Sequence, residues 1–308
     1  MSETGREAQA ARESVLAVRA ADRTGILVTG KDRTSWLNGL VTCDLTKLGP
    51  GRGAYGLVVE KKGRIQTDFF AVPGRASEAL ALGVPRGLEV AIVETLDHYL
   101  IMEDAELERA DLAFWHLHGP KAEALAAALE APFGGAVDLL GLGGAVVAAP
   151  AAEADALGER LAARVSEAGG LVTDDASWEA VRIERGVPRF GVEVDATLYP
   201  QEAALEKLAV SFDKGCYLGQ EVVYMLENRG HVKRKLVPLD VDGDAPAGRG
   251  EPVTTPEGAV VGDVKSSVVG PSAGKPVAIA MVKWAQAKPG TELRVGERVA
   301  RVRASDRA

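Results

Sequence analysis

The sequence predicts an α+β protein that ends in a small β-barrel, and three observations carry this. The chain has 308 residues, too many for one typical core, so about two domains are expected. The first half alternates a strand, a helix, paired strands, a helix and a strand. That order resembles a split βαβ plan rather than a doubly wound parallel sheet. From Leu236 to Ala304 helical periodicity stops. Short Val-rich strands there alternate with turns such as Pro256-Glu257-Gly258, Lys288-Pro289-Gly290 and Val295-Gly296-Glu297, the pattern of a small barrel. The expected organisation is a leader over 1–24, an α+β region over 25–231 and a barrel over 232–308.

Taken in order, Met1 to Ala21 is rich in Glu, Arg and Ala and reads as a frayed helical leader. It has no apolar h-region with a cleavage pattern behind it, so no signal peptide is expected. Ile26-Leu27-Val28 reads as a strand. Thr29 or Asp32 can cap a short helix through Trp36-Leu37, and Gly39 can end it. Tyr55 to Val59 and Ile65 to Val72 read as strands joined by a tight turn, Lys61-Lys62-Gly63-Arg64. Leu80 to Val84 is a further strand. Pro85 is expected to open a helix, in which Leu88, Ile92, Leu96 and Leu100 recur every four residues and give one apolar face. Strands follow around Ala105–Ala110 and Phe114–His118. Ala122–Leu129 and Ala151–Ala168 are Ala-rich helices. Asp174 and Asp175 open another helix through Trp178, Val181 and Ile183, ending near Gly186-Val187-Pro188.

Composition narrows the function classes. Hydrophobic residues make up 46% and charged residues 26%, ordinary for a soluble globular protein. A net charge of −8 does not coat nucleic acid or an anionic membrane through bulk charge, and leaves only a local basic patch to do so. No uncharged apolar run approaches the ~18 residues of a membrane span, so no membrane partner is expected. The two cysteines, Cys43 and Cys216, form no CxxC. They exclude a four-cysteine zinc site within one chain, and two lone thiols fit a reducing, cytoplasmic compartment. No permanent metal is expected.

Several motifs have an ordinary reading. Gly51-Arg52-Gly53-Ala54-Tyr55-Gly56 matches GxGxxG, but its glycines precede a strand instead of opening a helix, so it is read as a loop and not a dinucleotide site. His116 and His118 lie two apart on a strand and face one side. With no third ligand evident nearby they read as a structural pair. Cys43 reads as a small, partly buried residue. Cys216 stands apart. If Tyr217 to Asn228 run as a helix, its thiol lies near a helix N-terminus, beside the cation of Lys214, where thiolate is favoured. Gln220 then shares its helical face, and Gly219 admits a close neighbour. Arg229, His231, Lys233, Arg234 and Lys235 form a basic run. It reads as a solvated face, with an anionic tail or RNA as the functional alternative.

These residues resemble a known family. Lys214-Gly215-Cys216-Tyr217-Leu218-Gly219-Gln220-Glu221, followed by Arg229-Gly230 and Lys233-Arg234, is similar to the signature of the YgfZ proteins, relatives of the glycine-cleavage T-protein. Arg182-Ile183-Glu184-Arg185-Gly186-Val187-Pro188 and Pro200-Gln201-Glu202 agree, as do Gly30-Lys31-Asp32-Arg33, Leu37-Asn38-Gly39, Tyr55-Gly56 and Lys62-Gly63-Arg64-Ile65. The resemblance spans about residues 25 to 305. It implies interlocked ferredoxin-like halves and a C-terminal barrel around a central hole, with tetrahydrofolate or a one-carbon derivative held there. Glu184 would bond the pterin, a carboxylate accepting paired N–H groups, and Tyr55 would stack on it. Gln220 and Arg229 would complete the cofactor site.

One departure from the T-protein pattern bears on activity. Where T-proteins carry an Asp-Asp pair whose first member is catalytic, this chain has Gln66-Thr67, with Asp68 just beyond. A one-residue shift on a strand flips a side chain to the other face, and Gln cannot exchange a proton as Asp does. The resemblance therefore implies a folate-dependent accessory factor for iron–sulfur proteins or their assembly machinery, with Cys216 as the reactive thiol tuned by Lys214. The enzyme alternative is folate-dependent aminomethyl or methyl transfer, with Asp68 or Glu60 as a displaced carboxylate. The third reading is a folate-binding protein without chemistry.

Overall fold

The computed structural model describes residues 3–304. The chain begins with α1 (Glu3–Glu13), β1 (Leu16–Arg19), β2 (Arg23–Thr29), α2 (Arg33–Asn38), β3 (Gly51–Arg52), β4 (Ala54–Val59), β5 (Ile65–Pro73) and β6 (Leu80–Pro85). It continues through α3 (Glu89–Asp97), β7 (Glu106–Ala110), β8 (Leu112–His118), α4 (Ala122–Ala128), β9 (Phe133–Ala136), β10 (Gly144–Pro150), α5 (Ala154–Glu167), β11 (Leu171–Thr173) and α6 (Asp175–Glu184). A largely irregular stretch holding α7 (Glu206–Ala209) and α8 (Gln220–Asn228) leads to β12 (Arg234–Val241), β13 (Pro252–Thr254), β14 (Val260–Val269), β15 (Pro276–Lys283), β16 (Glu292–Val295) and β17 (Arg298–Val302).

Three sheets result. The first has strand order β11-β1-β8-β10-β9-β3, the second β4-β5-β6-β2-β7, and β12-β15-β14-β13-β16-β17 close a barrel. Because β1 and β3 enter the first sheet while their chain neighbours β2 and β4 enter the second, the two sheets are threaded through each other. The expected α+β architecture of interlocked halves with a terminal barrel is present.

The interlock also corrects the expected leader. Residues 1 and 2 of it lie outside the described residues, but the rest is not frayed. Ala11, Val15, Leu16 and Ala17 are wholly buried, and β1 is an interior strand between β8 and a parallel β11. A four-residue strand buried on both faces shows no alternation, and the Ala- and Glu-rich helix before it hides its start. Two other expectations shift. Pro85 closes β6 instead of opening a helix, and α3 begins at Glu89. Strands β9 and β10 went unread because Gly134, Gly135 and the Ala residues of β10 carry little β propensity. At β3 and β9 the backbones nearly touch, since a Cβ on Gly135 would lie 2.4 Å from the Gly53 nitrogen.

The largest core cluster joins all three sheets. Tyr55, Leu57 and Phe70 from the second sheet, Phe114 from the first, and Ile279 and Met281 from the barrel share it. Each such side chain contributes roughly 1.5–3 kcal/mol of burial, and the barrel shares one core with the N-terminal region.

At this junction Arg182 of α6 is fully buried. Its Nη1 donates to both oxygens of Glu193, at 2.8 and 2.9 Å, and to the Val187 carbonyl at 3.0 Å. Nε donates to Glu179 at 2.8 Å, and Nη2 also bonds Glu179. Glu193 in turn accepts from Ser266 of the barrel strand β14 and from the Arg189 N–H. Removing the cation leaves Glu193 charged and buried. Arg182→Met is expected to cost about 3–5 kcal/mol in urea denaturation. A loss under about 1 kcal/mol would show that the pair is not a structural anchor.

Candidate functional site

Beside that junction lies a narrow slot of about 30 Å³, room for about one water. The hairpin β4–β5 builds one wall. Tyr55 faces Phe70 across the ladder and Leu57 faces Asp68. The register slips between Val58 and Val59, so that Val58 pairs Thr67 while Val59 pairs Ile65. Gln66 is the extra, bulged residue. The bulge resets the alternation, so Asp68 joins Tyr55 and Phe70 on the slot face in spite of its shifted place in sequence. The Asp68 carboxylate is held from two sides. Arg23 donates to both oxygens at 2.7 and 2.9 Å, and the Tyr55 hydroxyl donates to Oδ2 at 2.9 Å.

The opposite wall is aromatic and charged. His116 packs edge-on against Phe70 with centroids 4.5 Å apart and lies parallel to Trp178 at 6.1 Å. Trp178 donates its indole N–H to Nε2 of His118 at 3.0 Å. Arg189 lies over the Trp178 ring at 5.3 Å and bridges Asp22 at 3.0 Å, Glu179 at 2.6 Å and Asp175 at 3.2 Å. Burial holds both histidines neutral: His118 is pushed down to about 4 and His116 well below its ordinary value. The two rings lie on one side of β8, as their spacing predicts, and stack with centroids 5.9 Å apart. Among the described residues no group of three potential metal ligands occurs.

The slot shares Pro188 and Leu208 with a groove of about 1070 Å³ between the α+β region and the barrel. Lys207, Lys235, Lys288 and Arg303 line the groove against Asp138 and Glu206, with Trp284 among them. Part of the expected basic run meets it. Lys235 reaches Glu206 at 2.5 Å and lies 5.7 Å from the Trp284 ring centroid, His231 stacks on Trp284 at 5.7 Å, and Arg234 reaches Glu202 at 3.3 Å.

Of the site residues expected from sequence, Tyr55 lines the slot. Glu184, Lys214, Cys216, Gln220 and Arg229 line neither slot nor groove. The Glu184 carboxylate accepts the backbone N–H groups of Ser272 and Ala273 at 2.8–3.1 Å, tying α6 to a barrel loop. Lys214 does not point at Cys216. Burial lowers it to about 8, and its ammonium donates to the carbonyls of Asn38, Val41 and Cys43 at 2.6, 2.8 and 2.7 Å. Cys43 is buried, which pushes its thiol up to about 12.

Cys216 is exposed but lies outside the helix. Gly219, with φ at +78°, starts α8, and a Cβ there would sit 2.5 Å from the Glu60 carbonyl oxygen. The helix therefore begins at Gln220, three residues later than expected. The dipole argument for Cys216 and its shared face with Gln220 both lapse. Arg23, Phe70, His116, Trp178 and Arg189 are slot residues that sequence reasoning missed or gave only a structural role. The signal was the polar side chains on apolar strands, Arg23 before Ile26 and His116 within β8.

Comparison with known proteins agrees with this architecture. Residues 1–134 match the GCVT N-terminal domain and residues 234–305 the glycine cleavage T-protein C-terminal barrel domain. The structure aligns with the crystal structure of glycine cleavage system aminomethyltransferase T from Bartonella henselae at a TM-score of 0.81 and 21% identity, covering 99% of this chain and 89% of that one. The chain has the T-protein fold. Within T-protein-like sequences it has two kinds of relative. It is 29% identical to an aminomethyltransferase of Herpetosiphon aurantiacus over 302 residues, 90% of this chain and 81% of the relative. It is also 29% identical to a tRNA-modifying protein YgfZ of Vibrio vulnificus over 231 residues, 73% and 70%. The match to the first kind is the longer. Among the described residues no helix is long and apolar enough to cross a membrane.

The buried imidazoles make stability depend on pH. Below the ordinary value of 6.5 the unfolded chain protonates His118, while the folded chain resists down to about 4. Stability is therefore fully present above pH 6.5 and falls as pH drops through that window. His118→Gln should shrink the loss between pH 7 and pH 5 by about 2 kcal/mol in urea titrations. An unchanged slope would mean the ring is already charged when folded.

Proposed function

We propose that this T-protein-fold chain binds tetrahydrofolate along the groove and slot and acts as a folate-dependent accessory factor for iron–sulfur proteins, not as an aminomethyltransferase. The observation that carries the reading is the state of Asp68. It is the buried carboxylate of the slot, and Arg23 and Tyr55 occupy both of its oxygens. A carboxylate so neutralised offers little free charge to an amine in a one-carbon transfer, and Gln66 is bulged out of the ladder. The lining fits the ligand. The groove has the volume for a flat heterocycle, with Trp284 in its wall, and Lys207 and Lys288 for tail carboxylates, Lys235 and Arg303 being engaged by Glu206 and Asp240. Tetrahydrofolate would supply one-carbon or redox chemistry when bound, and these residues would bind and orient it. The accessory role rests on the octet and on the exposed thiol of Cys216, which is open to a partner protein.

Calorimetric titration with reduced tetrahydrofolate tests the binding. Saturable heat is expected, and Lys207→Ala combined with Lys288→Ala should weaken it several-fold. Glu184→Ala should lower stability more than affinity, because its carboxylate holds a barrel loop. Absence of binding in the wild type would sink the proposal. For the accessory role, cells carrying Cys216→Ala should lose iron–sulfur enzyme activity, and normal activity would count against it.

Aminomethyl transfer is the second reading, favoured by the placement of Asp68 on the slot face and by the longer match to aminomethyltransferases. Folate-dependent loss of a one-carbon group from an amine donor, abolished in Asp68→Asn, would establish it over the accessory role.

A further inference from the structure

Among the described residues nine large hydrophobic side chains are exposed, and six of them fall in two groups. The first group is Val90, Ile101 and Met102, on α3 and the loop that leads to β7. Ile101 is 83% exposed and Met102 92%. The loop is held in place. The Ile101 and Met102 N–H groups donate to the Glu103 carboxylate at 3.2 and 3.0 Å, and Asp32 and Asp104 exchange two bonds of 2.9 Å each. The apolar side chains are thus presented on an ordered backbone, which spares part of the ordering cost of binding. Their surroundings are acidic. Residues 87–108 contain seven carboxylates and no Lys or Arg, in a chain whose net charge is −8. Glu94, Asp97, Glu103, Glu106 and Glu108 are exposed and have no ion pair among the described residues, while Asp104 has Lys31 at 3.5 Å.

The second group is Tyr224, Met225 and Trp284, beside the basic run that follows α8. Residues 221–235 hold four Lys or Arg against two Glu. Lys283 joins them, because β12 and β15 set it opposite Arg234, and the Trp284 N–H donates to the Lys233 carbonyl at 2.9 Å. Arg229, Lys233 and Lys283 are exposed and have no ion pair among the described residues. The two groups belong to opposite edges of one sheet. β7 is one edge of the second sheet and β4 the other, and α8 packs on the turn that follows β4.

We propose that the acidic face of α3 and β7 docks on the basic face of α8 and β12 of a second copy of this chain. Each face carries apolar side chains to bury and unpaired charge of the sign the other lacks. Two acidic faces, or two basic ones, would set like charges together, so neither face pairs with its own copy and the contact runs head to tail. Because the faces belong to opposite edges, each contact leaves one of each open until a ring closes. The contact is independent of the folate reading.

Sedimentation velocity reads the association. The wild type should form species larger than the monomer as concentration rises at about 0.1 M salt, and lose them at about 1 M, where screening acts within about 3 Å. Glu94→Lys, Asp97→Lys, Glu106→Lys and Glu108→Lys together reverse the acidic face. Arg229→Glu, Lys233→Glu and Lys283→Glu together reverse the basic one. Each variant alone should associate about tenfold more weakly than the wild type, or less still. An equimolar mixture of the two should regain assembly, because each then meets its opposite, and recovery on mixing shows that both are folded. Met102→Ser should weaken association while its salt dependence is kept. A wild type that stays monomeric at about 0.1 mM overturns the proposal and leaves the acidic face to an unlike, basic protein. Assembly that neither reversal weakens, or that mixing does not restore, overturns it as well.

Discussion

The buried guanidinium of Arg182 is the constraint on which the arrangement depends. One side chain joins α6 through Glu179, the following loop through Val187, and the barrel through Glu193 and Ser266. A buried cation is tolerable only when its donors are matched, so the relative positions of these three parts are tightly specified. Hydrophobic contact alone would let the barrel slide, because apolar attraction is non-directional. The guanidinium supplies the direction, and the slot lies where its ion-pair chain continues through Glu179 to Arg189, Asp22 and Arg23.

That chain explains the chemical character of the slot. Alternating cations and carboxylates run from Arg182 to Asp68, each paired with the next. Charged residues surround the site, yet it presents little unpaired charge to a ligand. Its remaining walls are aromatic rings and an imidazole that burial keeps neutral. The groove outside it carries its cations at a solvent-facing rim, suited to an anionic tail.

Much of the fold was legible because its signals are local. The Lys61–Arg64 turn, the four-residue spacing in α3, the Asp174 cap of α6 and the turn-rich barrel each depend on neighbours in sequence. The cap is present, with Asp174 accepting from the Ser177 N–H at 2.8 Å. What failed depends on partners far along the chain. β1 is a strand because β8 and β11 lie beside it. Gly219 starts α8 because Glu60 leaves no room for a Cβ. Glu184 is tied down by a loop almost ninety residues later. Asp68 reached the slot because a single bulge at Gln66 restored its face, and alternation counted in sequence cannot register a bulge.

The octet and the slot, separate in space, meet mechanically at the β4–β5 hairpin. The stretch from Ser211 to Gly219 is strapped onto the segment before β4: the Ser211 N–H donates to the Thr42 carbonyl at 2.9 Å, the Leu218 N–H to the Gly39 carbonyl at 3.0 Å, and Lys214 gathers three carbonyls. Gly219 then abuts Glu60 in the hairpin turn, and Gly63 of the same turn faces Val222 and Val223 of α8. The strands springing from that turn carry Tyr55 and Asp68. A lysine and two glycines at these positions are therefore needed to seat the hairpin, independently of any reaction. Within the octet, Cys216 is exposed and appears in none of these fastening contacts. Packing thus accounts for the lysine and the glycines of this stretch and leaves the thiol outside the fastening.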